Sequence, residues 1–352
     1  RISPTMMTSG SSRKEARTRD RLVRQLFFVQ DINRFLPGAA SGFPHMADRL
    51  WSYRRLVEIE GVLSEEEHLK GGQVRIADYL RNGSKSIVMS NRGLTAGIDH
   101  RKGGAVFELD FRDRGLNLFA GYNPRPHGVP GIVVPGESKL GFVDHFLPPD
   151  AGHDHTVGGV SGQLGDFPGG RFEYKIKKSK TGVKTVLTRQ GALLQGGRNC
   201  PLNMEKVFAL EGDGAALSFV YQLSNGSMTP YSFTFAVELT LSLIGAGEGE
   251  AQVVIGEGKA VTLCRERLRG EGVRQVVFTD RRAGVKVQLG LQKEANVSCF
   301  PAGEEAGEEQ GYQGTTVVVS LPVSLAGNSA WTLMGKLSCG KLRRKQEVGD
   351  AV

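Results

Sequence analysis

Apolar and polar residues alternate along most of this chain, which is the pattern of half-buried β-strands. From residue 73 to about residue 340, short alternating runs are separated by turns rich in glycine and asparagine, and no helical period interrupts them. A succession of roughly a dozen or more such strands predicts a large antiparallel β-sandwich, bigger than an immunoglobulin domain. The predicted strands lie near 94–98, 106–111, 141–147, 172–177, 184–190, 203–210, 216–223, 231–243, 252–255, 259–263, 275–279, 285–291, 315–321 and 330–337.

The hairpin over residues 90–113 has the clearest pattern. Alternation in its second strand predicts that one face carries Phe107, Leu109 and Phe111. The opposite face then carries Glu108 and Asp110. The polar turn before it ends in two glycines, which supply the positive φ that tight hairpin turns need.

The chain before residue 73 has helical spacing instead. Apolar residues three and four apart predict a helix over 18–35 and a second helix over 45–60, with Leu50 and Val57 in the apolar stripe of the second. Polar and basic composition predicts a disordered tail at 1–17 and a basic tail at 341–352. The predicted organisation is mainly β, with a helical region at 18–72 and the β-sandwich at 73–340.

Six segments follow one another in an order that is specific as a set: GGAVFELDFRDRGLNL, LGFVDHFL, RFEYKI, LNMEKVFAL, FVYQLSN and FAVEL. Together they resemble the C-terminal β-sandwich of glycoside hydrolase family 57 enzymes of the 4-α-glucanotransferase and α-amylase type, over Asp78 to Leu337. The resemblance implies a galactose mutarotase-like supersandwich, a fold shared with many sugar-active proteins. It also implies an α-glucan or a maltooligosaccharide as ligand, and a homodimer as a candidate assembly.

The catalytic groups of that family lie elsewhere in the enzyme. Its glutamate nucleophile, its aspartate acid and an H-x-H-Q-P-like strand end sit on an N-terminal barrel, and none of these motifs occurs in this sequence. The resemblance therefore implies a partner barrel that would precede residue 1, with this chain as a non-catalytic C-terminal part that has no catalytic residues and no cofactor. A stand-alone sandwich that binds carbohydrate or protein, and an independent epimerase-like enzyme, are the alternatives.

The resemblance also points to five carbohydrate-binding candidates. His45 lies in a segment, FLPGAASGFPHMADRLW, similar to the helical segment of the family. Glu108 and Asp110 match its ELD motif, and Asp144 and His145 match its DHFL segment. Carboxylates at such positions also commonly satisfy backbone donors, so a purely structural role is the alternative for them.

Proton transfer at a sugar ring requires histidine and carboxylate groups, and the sequence offers three places for such chemistry. These are Asp144-His145, the run His153-Asp154-His155, and Glu238 on a predicted strand. For the second, a polar surface loop is the alternative to a metal or proton-transfer site.

Charge and cysteines narrow the classes of partner. The formal net charge is +8, and much of it lies near the two ends without interleaved aromatic residues, which indicates solvated tails and no nucleic-acid partner. The four cysteines form no C-x-x-C pair, which argues against a metal site and suits free thiols in a reducing compartment. The sequence shows no apolar run of membrane-spanning length and no secretory h-region, so we expect a cytoplasmic protein without a membrane partner.

Overall fold

Nineteen strands form the fold in the computed structural model, which describes residues 50, 54, 57–58, 72–79, 83–119, 125–126, 133–134, 140–151, 162–243, 250–263, 267–302 and 314–342. They are β1 (Gln73–Ala77), β2 (Ser86–Ser90), β3 (Leu94–Asp99), β4 (Ala105–Phe111), β5 (Leu116–Asn117), β6 (Arg125–Pro126), β7 (Val133–Val134), β8 (Gly141–Leu147), β9 (Glu173–Lys178), β10 (Gly182–Gln195), β11 (Arg198–Glu211), β12 (Ala216–Asn225), β13 (Tyr231–Leu241), β14 (Ala251–Ile255), β15 (Val261–Thr262), β16 (Leu268–Asp280), β17 (Val285–Ala302), β18 (Gly314–Leu325) and β19 (Ala330–Lys341). A single 3₁₀ turn, Arg112–Arg114, follows β4.

The strands build two layers, and all of their pairings are antiparallel. In the first layer the neighbours run β1-β2-β3-β4-β8-β13-β18. In the second layer they run β9-β10-β11-β12-β19. The predicted β-sandwich is therefore confirmed.

The long strand β17 belongs to both layers. Its first part, from Val285 to Leu291, pairs with β19, and its second part, from Asn296 to Ala302, pairs with β18. Strand β16 accompanies it on the other side as a long hairpin with two register shifts. The hairpin of β16 and β17 therefore forms the corner at which one layer continues into the other. The sequence prediction had ended this strand at residue 291, because its alternation weakens at the crossover.

Apolar side chains from both layers meet in one core. On β8, the ring centre of Phe142 lies 5.1 Å from that of Phe208 on β11 and 5.1 Å from that of Phe219 on β12. Phe235 on β13 contacts Tyr221 on β12 at 5.2 Å. The face of each layer turned away from this core is called its outer face below.

The predicted hairpin is present as β3 and β4, with one correction. The two turn glycines, Gly103 and Gly104, have φ values of 65° and 60°, as the sequence predicted. Leu109 and Phe111 enter the core, but Phe107 does not. The register shifts opposite Gly97, and the Phe107 ring lies over that glycine on the outer face. A β-bulge thus breaks the alternation that had placed Phe107 with Leu109.

Several predicted segments lie partly or wholly outside the described residues. Leu50, Arg54, Val57 and Glu58 are helical, and Leu50 and Val57 are buried, in agreement with the predicted second helix. The predicted tail at 1–17, the first helix and most of the second tail fall outside the described ranges, so the predicted domain bounds stay predictions. Strands β6 and β7 pair with each other as a short two-stranded ladder.

Candidate functional site

A β-bulge in β8 decides which way its polar side chains point. Val143 pairs with Glu238 on β13, whereas Gly141 pairs with the next residue, Leu239, so Phe142 is the extra residue. Phe142 has a φ of 58°, a left-handed conformation that is unusual for a bulky side chain. Beyond the bulge, Asp144 faces the core and His145 faces the opposite, outer side.

His145 and Glu238 form an acid–base pair on the outer face of the first layer. The Nε2 atom of His145 lies 3.0 Å from Oε2 of Glu238, and the side chains are 5% and 19% exposed. The His145 Nδ1 atom is buried and makes no hydrogen bond within the part of the chain that the structure describes. An imidazole held against a carboxylate can exchange a proton with a ligand, so this pair is the arrangement best suited to proton-transfer chemistry.

Asp144 lies instead between the layers, opposite Lys206 of β11. The Lys206 ammonium donates to Asp144 at 2.9 Å and to the Phe142 carbonyl at 2.6 Å, and neither side chain of the ion pair is exposed. Burial raises the pKa of Asp144, opposed by the charge of Lys206, and burial lowers the pKa of Lys206, opposed by Asp144. The Tyr221 hydroxyl lies beside the same carboxylate, and burial followed by the charge of Asp144 raises the pKa of Tyr221.

This buried position gives Asp144 a structural partner. The pair joins β8 of the first layer to β11 of the second layer inside the core. The predicted sugar contact at Asp144 stays a prediction, and in this arrangement its carboxylate has no exposed surface.

Glu108 and Asp110 occupy the outer face of β4, away from His145. Glu108 accepts a hydrogen bond from the Tyr79 hydroxyl at 2.8 Å, and the Tyr79 ring lies 6.0 Å from that of Phe107. Asp110 is fully buried and pairs across the strands with Thr95. Strands β4 and β8 are antiparallel and meet at Val106 and Gly141. Glu108 and His145 lie in opposite directions from this contact, so about 20 Å separates them along the strands.

The structure thus distributes the predicted site residues over three places. His145 joins Glu238, Asp144 joins Lys206, and Glu108 and Asp110 lie on β4. His45 and the run His153-Asp154-His155 lie outside the described residues, and the sugar-binding roles of all five candidates stay predictions. Within the described ranges, no three His, Cys, Asp or Glu side chains cluster as metal ligands would, and no helix is long and apolar enough to cross a membrane.

The sequence reading missed a groove on the outer face of β9 to β12. It has a volume of about 690 Å³, and polar side chains of four neighbouring strands line it. We call it the polar groove, and its central residues are Thr188, Gln190, Asn203, Glu205, Gln222 and Ser224. In the sequence, each of these residues occupies a polar position of an alternating strand, but only the register of the strands brings them side by side.

The chain matches a known protein family over more than half of its length. The model of the family described as "Alpha-amylase/4-alpha-glucanotransferase, C-terminal" matches residues 137–334. Among curated proteins, the chain is 25% identical to the 4-alpha-glucanotransferase of Thermococcus litoralis over 320 residues, which is 80% of this chain and 42% of that enzyme. The chain covers less than half the length of each curated relative it matches.

Solved structures agree on the fold. The crystal structure of the same Thermococcus litoralis enzyme superposes with a TM-score of 0.64 at 20% identity, covering 90% of this chain and 49% of that chain. A galactose mutarotase-like protein from Clostridium acetobutylicum superposes with a TM-score of 0.54 at 11% identity, covering 77% of this chain and 98% of that chain. The expected galactose mutarotase-like sandwich is therefore confirmed, and the chain belongs to the family of C-terminal regions of α-amylases and 4-α-glucanotransferases.

Proposed function

We propose that this chain is the non-catalytic C-terminal part of a glycoside hydrolase family 57 enzyme that acts on α-1,4-glucans in the cytoplasm. Its work is to hold the glucan and to brace a catalytic barrel domain, on the same polypeptide or on another. The observation that carries the proposal is the family match over residues 137–334. The relatives' names, 4-alpha-glucanotransferase and alpha-amylase, supply the substrate class.

The placement of the carboxylates favours a non-catalytic role. Glycoside cleavage needs two carboxyl groups on either side of the bond, about 5–10 Å apart, one of them kept protonated as an acid. On the first layer, Glu238 is hydrogen-bonded to His145, and Glu108 is hydrogen-bonded to Tyr79. The two glutamates lie on different strands, β13 and β4. In the polar groove, Glu173 and Glu205 lie on either side of β10. Glu173 is exposed, Glu205 is half-buried, and neither makes a hydrogen bond within the described residues.

Glucan binding and turnover by the chain itself test this proposal. We expect maltoheptaose to bind in isothermal titration calorimetry, and we expect its chain-length distribution to stay unchanged over a day's incubation. Hydrolysis or disproportionation that disappears in Glu205→Gln would show that the chain is itself catalytic and would overturn the proposal. Absence of maltoheptaose binding at millimolar concentrations would remove the glucan-holding part of it.

One observation favours a second candidate function, the interconversion of sugar anomers. The 3.0 Å contact of His145 with Glu238 provides an acid and a base of the kind that ring opening of an aldose requires. Burial of His145 weighs against it, because the sugar must reach the imidazole. Polarimetry of freshly dissolved α-D-glucose decides between the two: under the first proposal the chain leaves the spontaneous rate unchanged. An acceleration that His145→Ala and Glu238→Gln both abolish would establish the second function.

A further inference from the structure

The polar groove has the form of a regular grid of hydrogen-bonding side chains. The strand register places Gln190, Asn203 and Ser224 side by side in one row. The next row on the same face is Thr188, Glu205 and Gln222. With strands about 4.8 Å apart and alternate residues about 7 Å apart, the grid covers about 10 Å by 7 Å.

The groups of this grid are available to a ligand. Gln190, Asn203 and Gln222 are exposed, and Thr188, Glu205 and Ser224 are half-buried. None of these six side chains makes a hydrogen bond or an ion pair with the part of the chain that the structure describes. Amides and hydroxyls both donate and accept hydrogen bonds, so the grid suits a ligand whose groups do the same.

The charges of the groove indicate a neutral ligand. Arg171 and Arg189 line it together with Glu173 and Glu205, so the groove has no excess of cations. The Arg189 guanidinium is already engaged: it pairs with Asp166, donates to the Arg171 carbonyl and lies over the Phe167 ring. A phosphorylated or nucleic-acid ligand would need an excess of cations here, which the groove does not offer.

The size of the groove fits an extended oligomer. A volume of about 690 Å³ lies within the range of small-molecule sites, about 300–1,000 Å³. The residues that line it include no aromatic ring, so affinity has to come from hydrogen bonds. A sugar chain, with donors and acceptors on every ring and little charge, matches these properties.

We propose that the polar groove binds a maltooligosaccharide through Gln190, Asn203, Glu205 and Gln222. The inference rests on the proposed function for its choice of sugar and adds the location of the binding site. The groove lies on the second layer, whereas His145, Glu238, Glu108 and Asp110, the outer-face groups considered above, all lie on the first.

Calorimetric titration of the chain with maltoheptaose tests the location. The test variant is the double substitution Gln190→Ala and Gln222→Ala, which removes one amide from each row. The matched control is Gln275→Ala with Gln292→Ala, two exposed glutamines on β16 and β17 outside the groove. Thermal unfolding establishes that both variants fold as the parent chain does.

We expect the groove variant to weaken maltoheptaose binding at least about ten-fold, and the control to bind as the parent does. We also expect Glu205→Gln to retain part of the affinity, because an amide keeps one acceptor at that position. Parent-like binding by the groove variant would overturn the groove assignment and leave the proposed function standing. Failure of the parent chain itself to bind would overturn the groove assignment and would remove the glucan-holding part of the proposed function.

Discussion

The Nζ atom of Lys206 lies 2.9 Å from Oδ2 of Asp144 in the middle of the sandwich, and neither side chain is exposed. Lys206 also donates to the Phe142 carbonyl and lies 5.3 Å from the ring centres of Phe208 and Tyr221. A buried ion pair costs desolvation of both ions, and removal of one partner leaves the other charge uncompensated. The pair therefore fixes how β8 and β11 face each other, because other registers would separate the charges.

We expect either Lys206→Met or Asp144→Asn to lower the free energy of unfolding by about 3–5 kcal/mol. The double variant should lose much less than the sum of the two, because it leaves no unpaired charge in the core. Chemical denaturation of the four proteins forms the double-mutant cycle that measures this. Strictly additive losses would show that the two side chains do not depend on each other.

The loss of stability in Lys206→Met should depend on pH. Burial already raises the pKa of Asp144 above its ordinary 3.8, and removal of the lysine charge raises that pKa further. A carboxyl group whose pKa is higher in the folded state than in the unfolded state stabilises the fold at pH values below the unfolded-state pKa. This stabilisation is lost as the pH rises through the folded-state pKa. Relative to the parent chain, the variant should therefore be less destabilised at about pH 5 than at about pH 8, by about 2 kcal/mol. A pH-independent difference would mean that Asp144 does not carry the uncompensated charge.

Asn91 ties the turn between β2 and β3 to the turn between β11 and β12. Its amide nitrogen donates to the carbonyls of Gly212 and Gly214 at 3.0 and 2.9 Å, and its oxygen accepts from the backbone of Gly93 and Leu94. Because the side chain is fully buried, Asn91→Ala leaves backbone groups unsatisfied and should cost about 2–4 kcal/mol.

Thermal unfolding measures the Asn91 effect, with Asn199→Ala as the control. Asn199 is exposed on β11, and its loss should change stability by less than about 0.5 kcal/mol. Equal effects of the two substitutions would contradict the bridging role of Asn91.

The turn glycines allow a matched comparison of backbone conformation and space. Gly103 has a φ of 65°, and a Cβ there would overlap the Pro168 carbonyl oxygen. Gly196 has a φ of 53° with open space around it. Alanine at Gly196 should cost about 1 kcal/mol for the left-handed conformation alone, and alanine at Gly103 at least about 1 kcal/mol more. Urea denaturation of the two variants tests this, and equal costs would show that the neighbouring loop yields freely.

The Cys299 thiol should be protected in the folded chain. Burial raises its pKa to about 12, so its reactive thiolate is scarce near pH 8. We expect iodoacetamide to alkylate Cys299 at least about a hundred-fold more slowly in the native chain than in urea, with the rate rising as pH approaches the raised pKa. Peptide mass mapping after timed quenching gives both rates, and equal rates would contradict the buried position on β17.

The sequence predicted well wherever local pattern and local conformation agree. The alternating run 231–243 became β13, Gly103 and Gly104 adopted the positive φ of a hairpin turn, and Leu50 and Val57 are buried on one helical face. Each of these follows from interactions between residues close in the chain. The ordered set of motifs likewise sufficed to identify the family.

The two bulges show where local pattern fails. Alternation placed Phe107 with Leu109 and gave no sign of the extra residue at Phe142, because a bulge follows from how two distant strands fit together. The bulge at Phe142 nevertheless decides that Asp144 enters the core and that His145 faces outward. Within the DHFL motif that carried the resemblance, Asp144 therefore belongs to the core ion pair and His145 to the acid–base pair on the outer face.

By itself, the sequence determined the fold class, the family and the existence of most strands, because period-two alternation and turn chemistry are local properties. Only the tertiary structure decided that His145 meets Glu238, that Asp144 meets Lys206, and that Gln190, Asn203 and Ser224 form a row. These contacts join residues up to 93 positions apart, and the register of strands distant in the chain sets them. That register is fixed by which side chains the two layers can bury together, which no short stretch of sequence contains.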